Sequence, residues 1–147
     1  MRAVVQRIAG AEITINGTEK RAVGQGLCVL LGVIAGDEKA QAEFLAKKIC
    51  ELRIFSDQND KMNLSLQDVQ GEMLVVSNFT LGADCSHGRR PSYTNAARPE
   101  TAKPLYEYFV EQVRAQGVSH VQTGEFGADM QVALINDGPV TIILDTD

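Results

Sequence analysis

A chain of 147 residues, 44% hydrophobic and 22% charged, is sized for one globular core rather than for disorder or a membrane bundle. Its formal net charge of −5 excludes a protein that coats nucleic acid by bulk phosphate neutralisation, while leaving room for a local basic patch. No window supplies the roughly 18 apolar residues of a membrane helix, and Met1–Arg7 alternates polar and apolar residues without a signal-peptide core. A cytoplasmic protein with no membrane contact is the expectation.

In chain order, Gly24-Gln25-Gly26 reads as a turn before a strand over Leu27–Ile34, whose continuous apolar run suits a strand covered on both faces. Glu38–Leu52 has helical period, with Ala42, Leu45, Ala46, Ile49 and Leu52 in one stripe. Glu38 near its start and Lys47 and Lys48 near its end complement the helix dipole. A third element, Leu74-Val75-Val76, runs as a strand into Ser77-Asn78-Phe79-Thr80-Leu81. Thr101–Gln116 is a second helix with Thr101 as N-cap, which makes the early Pro104 acceptable, and Gly117 is its stop. His120 begins a strand over Val118–Thr123. Met130–Ile135 and Val140–Leu144 flank Asn136-Asp137-Gly138-Pro139, the pattern of an antiparallel hairpin. Two helices are too few to cover both faces of a large parallel sheet. A single α/β domain over 1–147, largely antiparallel with its two main helices on one side, is therefore expected.

Candidate chemistry is sparse. Cys28, Cys50 and Cys85 are an odd set without CxxC spacing, which fits neither a disulfide framework nor a zinc knuckle. Cys85-Ser86-His87 lacks the second ligand cluster a tetrahedral zinc site needs, so no metal and no cofactor are expected. There is no GxxxxGK[ST] loop and no GxSxG elbow. Arg89 and Arg90 form a basic doublet, readable as a solvated loop or as a phosphate contact. Ser77-Asn78-Phe79-Thr80 is either a solvated strand end or a pocket lining. Alternation would place Ser77 and Phe79 on one face and Asn78 and Thr80 on the other. Thr80 as nucleophile would need a base, and no neighbouring residue supplies one. Gly138-Pro139 is turn punctuation or the site of a cis peptide.

Taken together, these segments resemble the D-aminoacyl-tRNA deacylase family over essentially the whole chain. The landmarks, all in family order, are Met1–Arg7, Leu52-Arg53-Ile54-Phe55, Lys61–Leu66, Gly88–Ser92 and Thr123–Met130. With them come the two signature motifs, Ser77-Asn78-Phe79-Thr80-Leu81 and Asn136-Asp137-Gly138-Pro139-Val140-Thr141.

The resemblance implies a three-layer β/β/α domain and a homodimer with a pocket at each subunit interface. The implied substrate is the 3′ end of a tRNA carrying a D-amino acid or glycine. Ser77, Asn78, Phe79 and Thr80 are then the catalytic residues, and Gly138 and Pro139 enter from the other subunit to reject L-amino acids. Met130 joins them in substrate binding, Arg7 holds the Gly-Pro motif, and Arg89 and Arg90 contact tRNA. Hydrolysis in this family is RNA-assisted, with the adjacent 2′-hydroxyl helping to activate water. Backbone N–H groups near Phe79 and Thr80 are expected to stabilise the oxyanion. Two departures stand out. Asn78 replaces the usual Gln and is one methylene shorter, so its hydrogen bond is lost or water-bridged, and Cys85-Ser86-His87 is less basic than the family loop. A non-catalytic nucleic-acid-binding member of the fold is the alternative reading.

Overall fold

The computed structural model describes residues 1–146. Strand β1 (Arg2–Ile15) organises the molecule, because it pairs antiparallel with β2 (Glu19–Val23), β3 (Gly26–Gly32) and the long β8 (Met130–Asp145). Helix α1 (Lys39–Glu51) follows, then a small ribbon of β4 (Phe55–Ser56) and β5 (Met62–Leu64). Strand β6 (Glu72–Ser77) lies parallel to β3, and β7 (Val121–Thr123) lies parallel to β6. Between β6 and β7 comes helix α2 (Pro99–Ala115).

The sheet is mixed: the pairings of β1 with β2, β3 and β8 are antiparallel, while β3–β6 and β6–β7 are parallel. The chain leaves β3 through α1 and the ribbon and leaves β6 through α2, and such helical crossovers return the next strand parallel. The helices still cover one side only. Ala3, Val5, Leu27, Val29, Met73 and Val75 pack there against Leu45, Ile49, Phe109 and Val113. Alternate residues of the same strands, Cys28, Leu74 and Val76, face a second core with Ile8, Ile13, Ile15 and Val23. Partly buried Met130, Val132 and Leu134 of β8 close that core. Strands β3 and β6 are therefore buried on both faces, which explains their unbroken apolar runs. The helices and the second core thus lie against opposite faces of β3 and β6.

Both helices form at the expected places, but α2 begins earlier than its pattern suggests. Its N-cap is Arg98 and Pro99 is its first residue, so Thr101 lies inside the first turn. Proline at that position gives up an N–H that would have had no intrahelical partner. At α1 the Glu38 N–H donates to Gln41 Oε1 at 2.7 Å, a side chain reaching back to the cap.

The C-terminal motif is not a hairpin. Residues on both sides of Asn136-Asp137-Gly138-Pro139 continue in one direction and both pair with β1. Thr141 lies opposite Gln6 and Asn136 opposite Ile8, so Asp137–Val140 leave the ladder opposite the single residue Arg7. The segment is a protrusion from a continuous strand. Turn-forming residues here bulge the chain without reversing it, because β1 templates the strand on either side. The expected strand over Val118–Thr123 is shorter, with His120 preceding β7.

Candidate active site

Strand β6 ends at Ser77, and the chain tightens into a 3₁₀ turn over Phe79–Gly82. The expected alternation of Ser77 and Phe79 against Asn78 and Thr80 therefore does not hold. A strand's two-residue period stops where the turn begins. Gly32 permits this turn, because a Cβ there would come within 3.0 Å of the Asn78 carbonyl oxygen. The Asn78 N–H donates to Leu31 O at 2.8 Å and fixes the turn to β3.

Asn78 caps the turn with its side chain. Its Oδ1 accepts from the Thr80 N–H at 3.2 Å and from the Thr80 hydroxyl at 2.5 Å. The shorter amide thus makes a local cap through its oxygen, which leaves the Nδ2 donor outside this pair of bonds. The Thr80 N–H, one of the two expected oxyanion donors, is engaged by Asn78 in this structure. With its proton directed at Asn78 Oδ1, the Thr80 hydroxyl meets no base.

Ser77, Asn78 and Phe79 line a cavity of about 560 Å³ together with Met130. Its other walls come from Tyr93, Ala96, Ala97 and Pro99 before and at the start of α2, and from Phe126, Gly127 and Ala128 before β8. The size suits a nucleoside or an aromatic amino acid. Thr80 does not line it. Phe79 is 57% exposed and meets Tyr93 edge-on, with centroids 5.2 Å apart. No local pattern singles out Tyr93, Ala96, Ala97 and Pro99, which reach the lining through the docking of α2. Phe126–Ala128 fell inside the Thr123–Met130 landmark.

The remaining expected residues lie elsewhere on the chain. None of Arg7, Gly138 and Pro139 lines this cavity. The Gly138-Pro139 bond is cis, and Gly138 has φ +131°, a backbone region that favours glycine. A Cβ at Gly138 would also sit 3.0 Å from Val140 N and 3.1 Å from Arg7 Nη2. Arg7, only 11% exposed, donates from Nε to Asp137 O at 2.9 Å and from Nη1 to Ile54 O at 2.7 Å.

Arg89 and Arg90 are exposed on a loop closed by paired backbone hydrogen bonds between Asp84 and Ser92, at 2.7 and 2.9 Å. Hydrogen bonds from Ser86 hold the Asp84 carboxyl below the usual range. That loop leads directly into Tyr93, so the basic doublet sits next to the cavity in sequence and is tied to its wall. Among the described residues, no three His, Cys, Asp or Glu side chains converge as metal ligands. No helix among them is long and apolar enough to cross a membrane.

Comparison with known proteins places this arrangement. The model of a family described as D-Tyr-tRNA(Tyr) deacylase matches residues 4–145. The chain is 56% identical over 146 residues to a D-aminoacyl-tRNA deacylase of Thermosipho melanesiensis, covering 99% of this chain and 97% of that one. It is 54% identical over 145 residues to a D-aminoacyl-tRNA deacylase of Pelobacter propionicus, covering 99% of each. A solved structure described as a c-Myc DNA unwinding element binding protein superposes with a TM-score of 0.93 at 41% identity, covering 100% of this chain and 99% of that one. A probable eukaryotic D-amino acid tRNA deacylase shares the fold at a TM-score of 0.88 and 18% identity, with coverage of 99% and 98%.

Proposed function

Since the chain belongs to the D-Tyr-tRNA(Tyr) deacylase family and is a hydrolase of D-aminoacyl-tRNA, we propose that it frees tRNA of D-amino acids and of glycine mischarged on tRNA-Ala, and that it rejects L-amino acids. Water attacks the ester carbonyl, the bond to the ribose oxygen breaks, and free amino acid and tRNA leave. Such a reaction belongs in the cytoplasm, where charged tRNA is used, and keeps D-residues out of translation.

The observation that carries this reading is the cavity lined by Ser77, Asn78, Phe79 and Met130, whose wall residue Tyr93 directly follows the exposed basic loop of Arg89 and Arg90 in the chain. The terminal adenosine and its amino acid enter the cavity, and the arginines hold backbone phosphates. Activation of water by the 2′-hydroxyl of the RNA is supported by Thr80, whose proton is engaged by Asn78 and which has no base beside it. The protein then contributes mainly by positioning, which alone can be worth many orders of magnitude in rate. The Phe79 N–H and Asn78 Nδ2 are the oxyanion donors in this reading.

Selection against L-substrates is assigned to Gly138-Pro139 of a second copy of the chain. A homodimer is supported by the protrusion's separation from its own cavity and by Ile135 and Ile143 of β8, each 65% exposed. Two-fold dimers are also the commonest closed assembly. With the α-amino group and ester carbon held, the motif leaves room for hydrogen alone on one side. An L side chain collides, a D side chain points out, and glycine passes.

The test is hydrolysis of D-Tyr-, Gly- and L-Tyr-tRNA with enzyme far below substrate, alongside light scattering. Turnover of the first two by a two-chain particle is expected. A second reading, a non-catalytic nucleic-acid binder, draws on the name of the 41% identical structural relative. Binding of tRNA or DNA without any turnover would establish it instead.

A further inference from the structure

The protrusion that carries Gly138-Pro139 is held at its base by a residue outside both signature motifs. Asn136 and Thr141 are the last laddered residues on either side of it. The side chain of Gln6 bonds to both. Its Oε1 accepts from Thr141 Oγ1 at 2.7 Å, and its Nε2 donates to Asn136 Oδ1. One carboxamide therefore uses its acceptor on one foot of the protrusion and its donor on the other. An aliphatic side chain could do neither, and a hydroxyl is too short to span both.

Arg7, the next residue of β1, grips the first carbonyl inside the protrusion, that of Asp137. Adjacent β1 residues thus divide the work: Gln6 sets the spacing of the feet and Arg7 holds the rising chain. Without the clasp, the four residues Asp137–Val140, which face one residue of β1, would be held only by the backbone pairing of their two flanks and by Arg7.

We propose that Gln6 is a positioning residue for stereochemical selection, acting through Asn136 and Thr141 on the placement of Gly138-Pro139. The proposal rests on the assignment of L-rejection to that motif. A steric filter depends steeply on position, because the repulsion at a contact closer than van der Waals distance falls sharply with each few tenths of an ångström of displacement. Loosening the base should therefore admit L-substrates before it harms hydrolysis of D-substrates.

The measurement is the ratio of kcat/KM for L-Tyr-tRNA to that for D-Tyr-tRNA, with enzyme raised until the slow L reaction is quantified. Gln6→Met removes both bonds at similar volume and should raise the ratio by about tenfold or more, a size consistent with losing two neutral hydrogen bonds. Gln6→Glu should stay close to the unmodified ratio, since its carboxylate can accept from Thr141 and from a rotated Asn136 amide. Thr141→Val should shift the ratio in the same direction as Gln6→Met and add nothing in its background. It also serves if Gln6→Met melts at assay temperature. An unchanged ratio in Gln6→Met or in Thr141→Val, or a parallel fall of both rates, overturns the clasp while leaving the deacylase reading intact. Equal cleavage of L and D esters by the unmodified protein defeats the stereochemical reading itself, and the clasp falls with it.

Discussion

Arg7 donates from Nε to the carbonyl oxygen of Asp137 at 2.9 Å, one residue before Gly138, and its Nη1 is braced on Ile54 O at 2.7 Å. The guanidinium is a rigid link between the ribbon's entry and the protrusion. Its nearby Asp137 carboxylate, at 3.4 Å and 47% exposed, adds little beyond this because solvent screens it.

Arg7→Ala should consequently lower kcat/KM for D-Tyr-tRNA by about tenfold to a hundredfold, as expected for a charged donor worth about 1.5–3 kcal/mol. Arg7→Lys should rescue little, since an ammonium cannot reproduce two fixed donor directions. Full activity and selectivity in Arg7→Ala would show that the protrusion holds itself.

At Asn78 two roles can be separated. Asn78→Asp keeps an oxygen for the Thr80 N–H and hydroxyl, so the melting temperature should hold. It replaces the Nδ2 donor with negative charge beside a developing oxyanion, and the rate should fall by about a hundredfold or more. Asn78→Ala should lose cap stability as well, about 0.5–2 kcal/mol. An active Asn78→Asp enzyme would remove the side-chain amide from the reaction.

Thr80→Val should keep most of the activity, because the Thr80 hydroxyl donates to Asn78 and lies outside the cavity lining. A tRNA ending in 2′-deoxyadenosine should be hydrolysed far more slowly by the unmodified protein. The reverse order, an inactive Thr80→Val and a normal deoxy substrate, points to a protein nucleophile.

Replacing Arg89 and Arg90 together with alanine should weaken tRNA binding and flatten its dependence on salt, with a slope smaller by about one to two. Filter binding from low to moderate salt measures this directly. Unchanged affinity and slope would make the doublet a solvated loop.

The three cysteines should differ sharply in reactivity. Burial pushes the Cys28 thiol up to about 11 and, with the Glu51 charge adding, the Cys50 thiol up to about 12. Cys85 is exposed. At pH 8, iodoacetamide and intact mass analysis should give a single adduct on Cys85, with the buried pair modified only on unfolding. Two or three adducts on the folded protein would contradict this core.

What the sequence determined by itself was local. The stripe of Ala42, Leu45, Ala46 and Ile49 specifies α1, and the run Leu27–Leu31 specifies a strand covered on both faces, because period and apolarity are properties of neighbouring residues. The motifs around Ser77 and Gly138 were legible for the same reason, and so was family membership. The tertiary structure decided what depends on partners distant in the chain. Asn136–Val140 has the composition of a reversing turn, yet it bulges from a continuous strand because β1 pairs with both flanks. Crossovers through α1 and α2 made the sheet mixed, and the docking of α2 brought Ala96, Ala97 and Pro99 into the same cavity lining as Asn78. Gln6, an ordinary polar residue in an alternating strand, acquires its position between Asn136 and Thr141 only through pairing 130 or more residues along the chain. Backbone pairing over such separations sets which side chains meet, and no local pattern records it.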